Sequence, residues 1–103
     1  MKEKEIKKRA IEQINKQGGV AWCPPKVKWL KENDVFGIFD AIVIYPPSNI
    51  VFIQWTTKSN IRAREKKILS FLKSRKVSIY CEIWGFDNIN QNFKVIHIYG
   101  DKK

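Results

Sequence analysis

Histidine and methionine occur once each among the 103 residues, cysteine twice, and acidic residues only ten times. One histidine, His97, with no second histidine or paired cysteine at ligand spacing, excludes a His-rich or zinc-finger type of metal centre. Cys23 and Cys81 allow one disulfide at most. The Met1–Gln17 segment is too charged to contain the apolar stretch of a secretory signal, so both cysteines are expected to be reduced, buried and structural, in a cytoplasmic protein. No apolar run exceeds strand length, far below the roughly 20 residues of a membrane span, and no membrane partner is expected. Phosphate-binding loops, nucleophile elbows and dinucleotide fingerprints are missing as well. These absences remove most nucleotide-dependent, serine-hydrolase and zinc chemistries.

Positive charge is plentiful. Twenty Lys and Arg against ten Asp and Glu give a net charge of +10, and eight of the twenty basic residues fall between Lys58 and Lys76. A short chain with that excess attracts a polyanion, most economically nucleic acid. An apolar content of 44% with 13% aromatic residues suffices for one core, so residues 1–103 are read as a single domain.

The pattern along the chain predicts an α+β sandwich. Residues 2–17 form a basic helix with Ile6, Ala10 and Ile14 on one face, stopped by Gly18-Gly19. Val20–Cys23 reads as a short strand ended by Pro24-Pro25, and residues 26–37 as a loop anchored by Val27, Trp29 and Leu30. Ile38–Tyr45 and Ile50–Thr57 are β-branched and aromatic runs around a Pro46–Asn49 turn, hence an antiparallel hairpin. Ser59 or Asn60 can cap a helix running to about Lys73, which buries Ile61, Ile68, Leu69 and Leu72. Strands at Val77–Trp84 and Phe93–Tyr99 complete the order α-β-β-β-α-β-β, a mixed sheet flanked by helices.

Period-two geometry groups the polar residues of the hairpin. Asp40 shares a strand face with Ile42 and Ile44, and Gln54 and Thr56 share a face of the returning strand. A matching register places Asp40 across from Gln54 and Thr56. Divalent metals take hard oxygen ligands, which Asp40, the Gln54 amide and the Trp55 backbone carbonyl can supply. Such a metal polarises a phosphate and activates water. Each residue also has a plain structural role open to it: Asp40 and Asp34 as turn formers, Gln54 as a hydrogen-bonded core amide, Thr56 as an ordinary strand residue. Trp55 and Trp84 suit the core; Trp22 and Trp29 flank the Pro-Pro loop, where they pack or stack on a base.

Three segments carry a family likeness: D-x-F-G-x-x-D at Asp34–Asp40, Q-x-T-[ST]-x-S-N at Gln54–Asn60, and A-R-x-x-K-I at Ala63–Ile68. Together they resemble the PD-(D/E)XK nuclease superfamily, in a phage- and plasmid-type branch close to archaeal Holliday-junction resolvases. The likeness covers roughly residues 3–85. It implies a restriction-endonuclease-like αβββαβ core and a Mg²⁺- or Mn²⁺-dependent endonuclease acting on DNA, with a possible two-fold dimer. Asp40 then matches the metal-binding aspartate, while Gln54 stands where the acidic ligand usually lies and Thr56 where the lysine usually lies. Lys58, Arg62 or Arg64 can supply the missing cation, and Lys58, Asn60, Arg62, Arg64 and Lys67 are expected to line the nucleic acid. Resolvase-like relatives also carry a glutamate on the inward face of the first helix. Here Glu12 falls on the opposite side, Glu5 does little better, and Glu3 has the right azimuth at the helix start.

Two functions follow from different classes. One is a metal-dependent DNA phosphodiesterase using Asp40, Gln54 and Thr56. The other is a nuclease-fold protein that binds DNA structure without cutting it. An RNA-recognition module fits less well, because no aromatic-rich basic strand of that type occurs.

Overall fold

A computed structural model describes residues 3–25 and 34–99. The elements are α1 (Glu3–Lys16), β1 (Val20–Trp22), β2 (Ala41–Tyr45), β3 (Asn49–Thr57), α2 (Ile61–Arg75), β4 (Cys81–Asp87) and β5 (Asn92–Ile98). A single 3-10 turn at Lys58–Asn60 links β3 to α2. The expected order and the α+β class are therefore found, as a five-stranded sheet in the order β1-β2-β3-β4-β5. All neighbours are antiparallel except β3 and β4, which run parallel across the α2 crossover.

Each helix covers one face of the sheet. Ile6, Ala10 and Ile14 of α1 pack on Ala41, Val43, Val51, Ile53, Trp55, Trp84 and Phe86. Ile68 and Leu72 of α2 pack with Ile38, Phe39, Cys81, Ile83 and Ile98 on the other face. Ile53 and Ile83 have no exposed surface, and truncating either to alanine removes contacts worth about 2–5 kcal/mol. Both cysteines are free thiols, Cys81 buried and Cys23 only half-buried.

Local chemistry sets the ends. Gly18 takes φ 84°, its N–H donates to the Asn15 carbonyl, and the Gly19 N–H reaches Ile14 O at 2.9 Å. This pair of hydrogen bonds is the Schellman closure that a glycine permits. α2 closes the same way through Lys76, at φ 55°, with Val77 N–H on Leu72 O. No glycine marks that end, and the helix runs two residues past the expected Lys73. Leu69, expected in the core, is 47% exposed, because Ile68 and Leu72 already fill the face toward the sheet.

The strands differ from expectation in placement. Ile38 and Phe39 belong to a tight turn closed by the Val35–Phe39 bridge, Asp40 is a bend, and β2 begins only at Ala41. Val77–Tyr80 lies outside β4, which pairs with β3 only from the Phe52–Cys81 step onward. Gly85, Phe86 and Asp87, expected in a loop, are its last residues. A Cβ at Gly85 would collide with the Ile61 side chain and stand 3.1 Å from Lys58 Cα, so glycine lets the α2 entrance lie close on the sheet. The loop anchors Val27, Trp29 and Leu30 lie outside the described residues.

Candidate nucleic-acid and metal site

The hairpin register brings the proposed site residues to one end of the sheet. Ala41 pairs with Ile53, so Asp40 lies beside Gln54 and Trp55 at the mouth of the hairpin. The Asp40 N–H donates to Ile53 O at 2.9 Å, and its carboxylate Oδ2 accepts the Trp55 N–H at 2.9 Å. Asp40 thus continues the ladder with its side chain where its backbone turns away. Strand alternation directs the Trp55 carbonyl to the same edge as its N–H, so a carboxylate and a main-chain oxygen share that edge.

Gln54 is the feature that packing does not explain. It is 5% exposed, and its Oε1 has no hydrogen-bond partner among the described residues. A buried carbonyl left without a donor costs about 1–3 kcal/mol, and native proteins keep few such groups. Thr56 is also buried and stands in register with Gly85, beneath Ile61. Its hydroxyl is therefore enclosed by the α2 entrance and does not line an open cleft. The Asp40 carboxylate, Gln54 amide and Trp55 carbonyl are hard oxygen donors of the kind taken by a divalent cation such as Mg²⁺ or Mn²⁺, which commonly binds through one or two carboxylates and completes its shell with water and substrate phosphate. No group of three His, Cys, Asp or Glu residues that could hold a metal ion occurs among the described residues.

The ends of the parallel strands β3 and β4 and the start of α2 converge at this pole. Lys58, two residues after Thr56, donates to Asp87 Oδ2 at 3.3 Å and is thereby engaged. Asp87 also accepts N–H groups of Ile89 (2.9 Å) and Asn90 (3.2 Å) and the Asn90 amide (3.0 Å). The Asn90 bonds lead in holding its carboxyl down to about 2, with Ile89 and Lys58 adding to the effect against burial. Asn60 is the N-cap residue of α2 but makes no side-chain cap, and Ser59 instead meets the Thr57 hydroxyl at 3.2 Å. The 3-10 turn supplies part of that role, the Ile61 N–H donating to Lys58 O. Arg62 and Lys67 are exposed and Arg64 is half-buried, on a helix whose first turn has no acidic residue.

Residues outside the sequence-based site also meet here. Burial raises the Cys23 thiol, Lys7 of α1 opposes that shift, and Asp40 adds to it, so all three lie within electrostatic reach. Nothing in the helical pattern of α1 marked Lys7, an exposed residue beside the apolar stripe. Glu3 is the first residue of α1, its side chain outside the described part. Asp34 is exposed, its carbonyl accepting the Gly37 N–H at 3.0 Å. Trp22 is 55% exposed, while Trp29 falls outside the described residues.

A second polar cluster lies on β4 and β5, apart from the hairpin mouth. Glu82 accepts Tyr80 OH at 2.6 Å and Trp84 Nε1 at 2.8 Å, and Tyr80 OH also meets His97 Nδ1. Burial first, then the Glu82 bond, pushes the Tyr80 hydroxyl far above its ordinary value. His97 is thereby partnered within this network.

No protein-family model, curated protein or solved structure matches the chain. Among the described residues, no helix is long and apolar enough to cross a membrane.

Proposed function

We propose that this chain is a metal-dependent DNA phosphodiesterase of the PD-(D/E)XK type, directed at branched or junction DNA. The observation that carries the reading is the buried Gln54 Oε1, without a hydrogen-bond partner among the described residues, on the residue next to Trp55, whose N–H holds the Asp40 carboxylate. Asp40, Gln54 and the Trp55 carbonyl would hold Mg²⁺ or Mn²⁺. When bound, that ion offers Lewis-acid polarisation of a phosphate and a more acidic water. Asp40 contributes the one negative charge, and its bond to Trp55 fixes the carboxylate direction before any ligand arrives.

The basic residues have the complementary role. Lys58 and Asn60 lie on the 3-10 turn and Arg62, Arg64 and Lys67 on the first two turns of α2, whose N-terminal dipole favours phosphate. Contacts of this kind position the backbone without reading bases, so affinity falls steeply with salt. Two-fold assembly, a cytoplasmic setting and a phage or plasmid context belong to the same proposal.

A second reading is a nuclease fold that binds DNA without cutting. The engagement of Lys58 by Asp87 and the enclosure of Thr56 favour it, because neither supplies the ammonium that usually offsets charge on the reacting phosphate.

Incubation with a four-way junction and a linear duplex, in Mg²⁺, Mn²⁺ or EDTA, separates the readings. Cleavage in metal that is lost in EDTA and in Asp40→Ala supports the enzyme. Salt-sensitive binding without cleavage in either metal leaves the binder. Absence of both rejects the DNA assignment.

A further inference from the structure

Phe36 breaks two rules at once. It is an aromatic residue left 63% exposed, and its φ of 56° lies in the left-handed region that bulky side chains avoid. With Gly37 at φ 70° it forms the centre of the Val35–Ile38 turn, closed by the Ile38 N–H on Val35 O at 3.0 Å. Asparagine, aspartate or glycine suits the first central position of such a mirror-image turn, and phenylalanine does not. Strain of this kind persists where neighbouring structure enforces it, and it concentrates at functional sites.

The neighbours are aromatic. The Phe36 ring lies 5.9 Å from that of Phe71 at 29° and 6.1 Å from that of Phe52 at 37°. Its inner side is therefore supported, and its outer side faces solvent. Phe36, Phe52, Phe71, Arg75, Val77 and Ile79 line an open groove of about 480 Å³, a size ordinary for a small ligand. Arg75 is exposed on the groove wall, in a chain of net charge +10.

An aromatic surface beside a cationic rim suits a flat, uncharged ring tethered to phosphate. An apolar peptide would use the rings and leave Arg75 and the net charge without a role. Resting on the DNA-binding reading above, we infer that Phe36 is a stacking platform for an unpaired base of DNA, with Arg75 holding the adjoining phosphate. Phe52 precedes Trp55 by three strand residues, which sets the platform roughly 10 Å from the hairpin mouth. Stacking accepts any base, so the platform selects DNA with unpaired positions over continuous duplex and reads no sequence.

The test uses the full chain at one fixed salt concentration, with a gapped duplex carrying 2-aminopurine in the gap and a fully paired duplex of the same length. Wild-type protein is expected to quench the gap fluorophore. Phe36→Leu is expected to weaken gapped-DNA binding about tenfold and abolish the quenching, leaving duplex binding unchanged. Phe36→Trp is expected to retain both. Phe36→Asn suits the turn backbone, so its circular dichroism should match wild type while its gap preference is lost. Equal affinity of wild type and Phe36→Leu for gapped DNA, or equal weakening on both DNAs, overturns the platform and leaves the DNA-binding reading intact. No binding to either DNA by wild type removes both.

Discussion

The Asp40 carboxylate accepts the Trp55 N–H at 2.9 Å, joining the entrance of β2 to the far end of β3. This bond ties a structural role to the proposed ligand role, and substitutions separate the two. Asp40→Asn keeps an acceptor oxygen for Trp55, removes the charge and turns the other carboxylate oxygen into an amide donor. Asp40→Ala leaves the Trp55 N–H without its acceptor and is expected to lower stability by about 1–2 kcal/mol. Cleavage should disappear in both variants, whereas urea unfolding should distinguish them. An active Asp40→Asn would remove the aspartate from the metal site.

Gln54 offers a sharper separation between folding and ligand binding. Gln54→Leu, close in volume, deletes the unpartnered Oε1 and is expected to raise stability in EDTA by about 1 kcal/mol. The same variant should lose any melting-temperature increase that Mn²⁺ gives the wild type. Gln54→Glu places a carboxylate in a buried position one residue from Trp55, whose N–H holds Asp40. It should be less stable than wild type in EDTA and gain more from Mn²⁺, because the ion offsets the added charge. Thermal unfolding of the three proteins with and without Mn²⁺ checks all of this.

The hairpin, both helices and the order of elements along the chain were legible in the sequence because each rests on local periodicity or on turn chemistry. The boundaries that moved depend on contacts between distant segments. Lys76 ends α2 in a left-handed conformation that a glycine would have signalled. Val77–Tyr80 alternates like a strand, yet β4 begins only where β3 offers a partner, at Cys81. Asp40 and Gln54 stood out as polar residues at the ends of apolar runs. Lys7 and Phe36 did not, since α1 packing and an aromatic cluster on the opposite sheet face place them.

Gly85 is a residue whose meaning only packing discloses. Gly85→Ala inserts a Cβ against the Ile61 side chain and close to Lys58 Cα, and is expected to cost about 1–3 kcal/mol. The Ile61 chain can retreat, whereas the Lys58 backbone cannot without shifting the 3-10 turn. Adding Ile61→Val should therefore recover part of the loss, giving a favourable coupling in a double-mutant cycle of denaturation free energies. Strict additivity of the two substitutions would show that the backbone contact, not Ile61, sets the penalty.

Asp87 governs the acid limit of this end of the sheet. Its carboxyl titrates at about 2 in the fold, against an ordinary value of 3.8, because Asn90, Ile89 and Lys58 donate to the ionised form. The unfolded chain therefore takes up this proton first as the pH falls. Its stabilising contribution is complete above pH 3.8, declines as acid is added, and is gone once the pH passes below about 2. Asp87→Asn can still accept the backbone N–H groups, and it should flatten the fall of urea midpoints across that window. Lys58→Met removes the smallest of the favourable contributions and should leave most of the slope in place. Equal slopes for wild type and Asp87→Asn would assign the acid sensitivity to another carboxyl group.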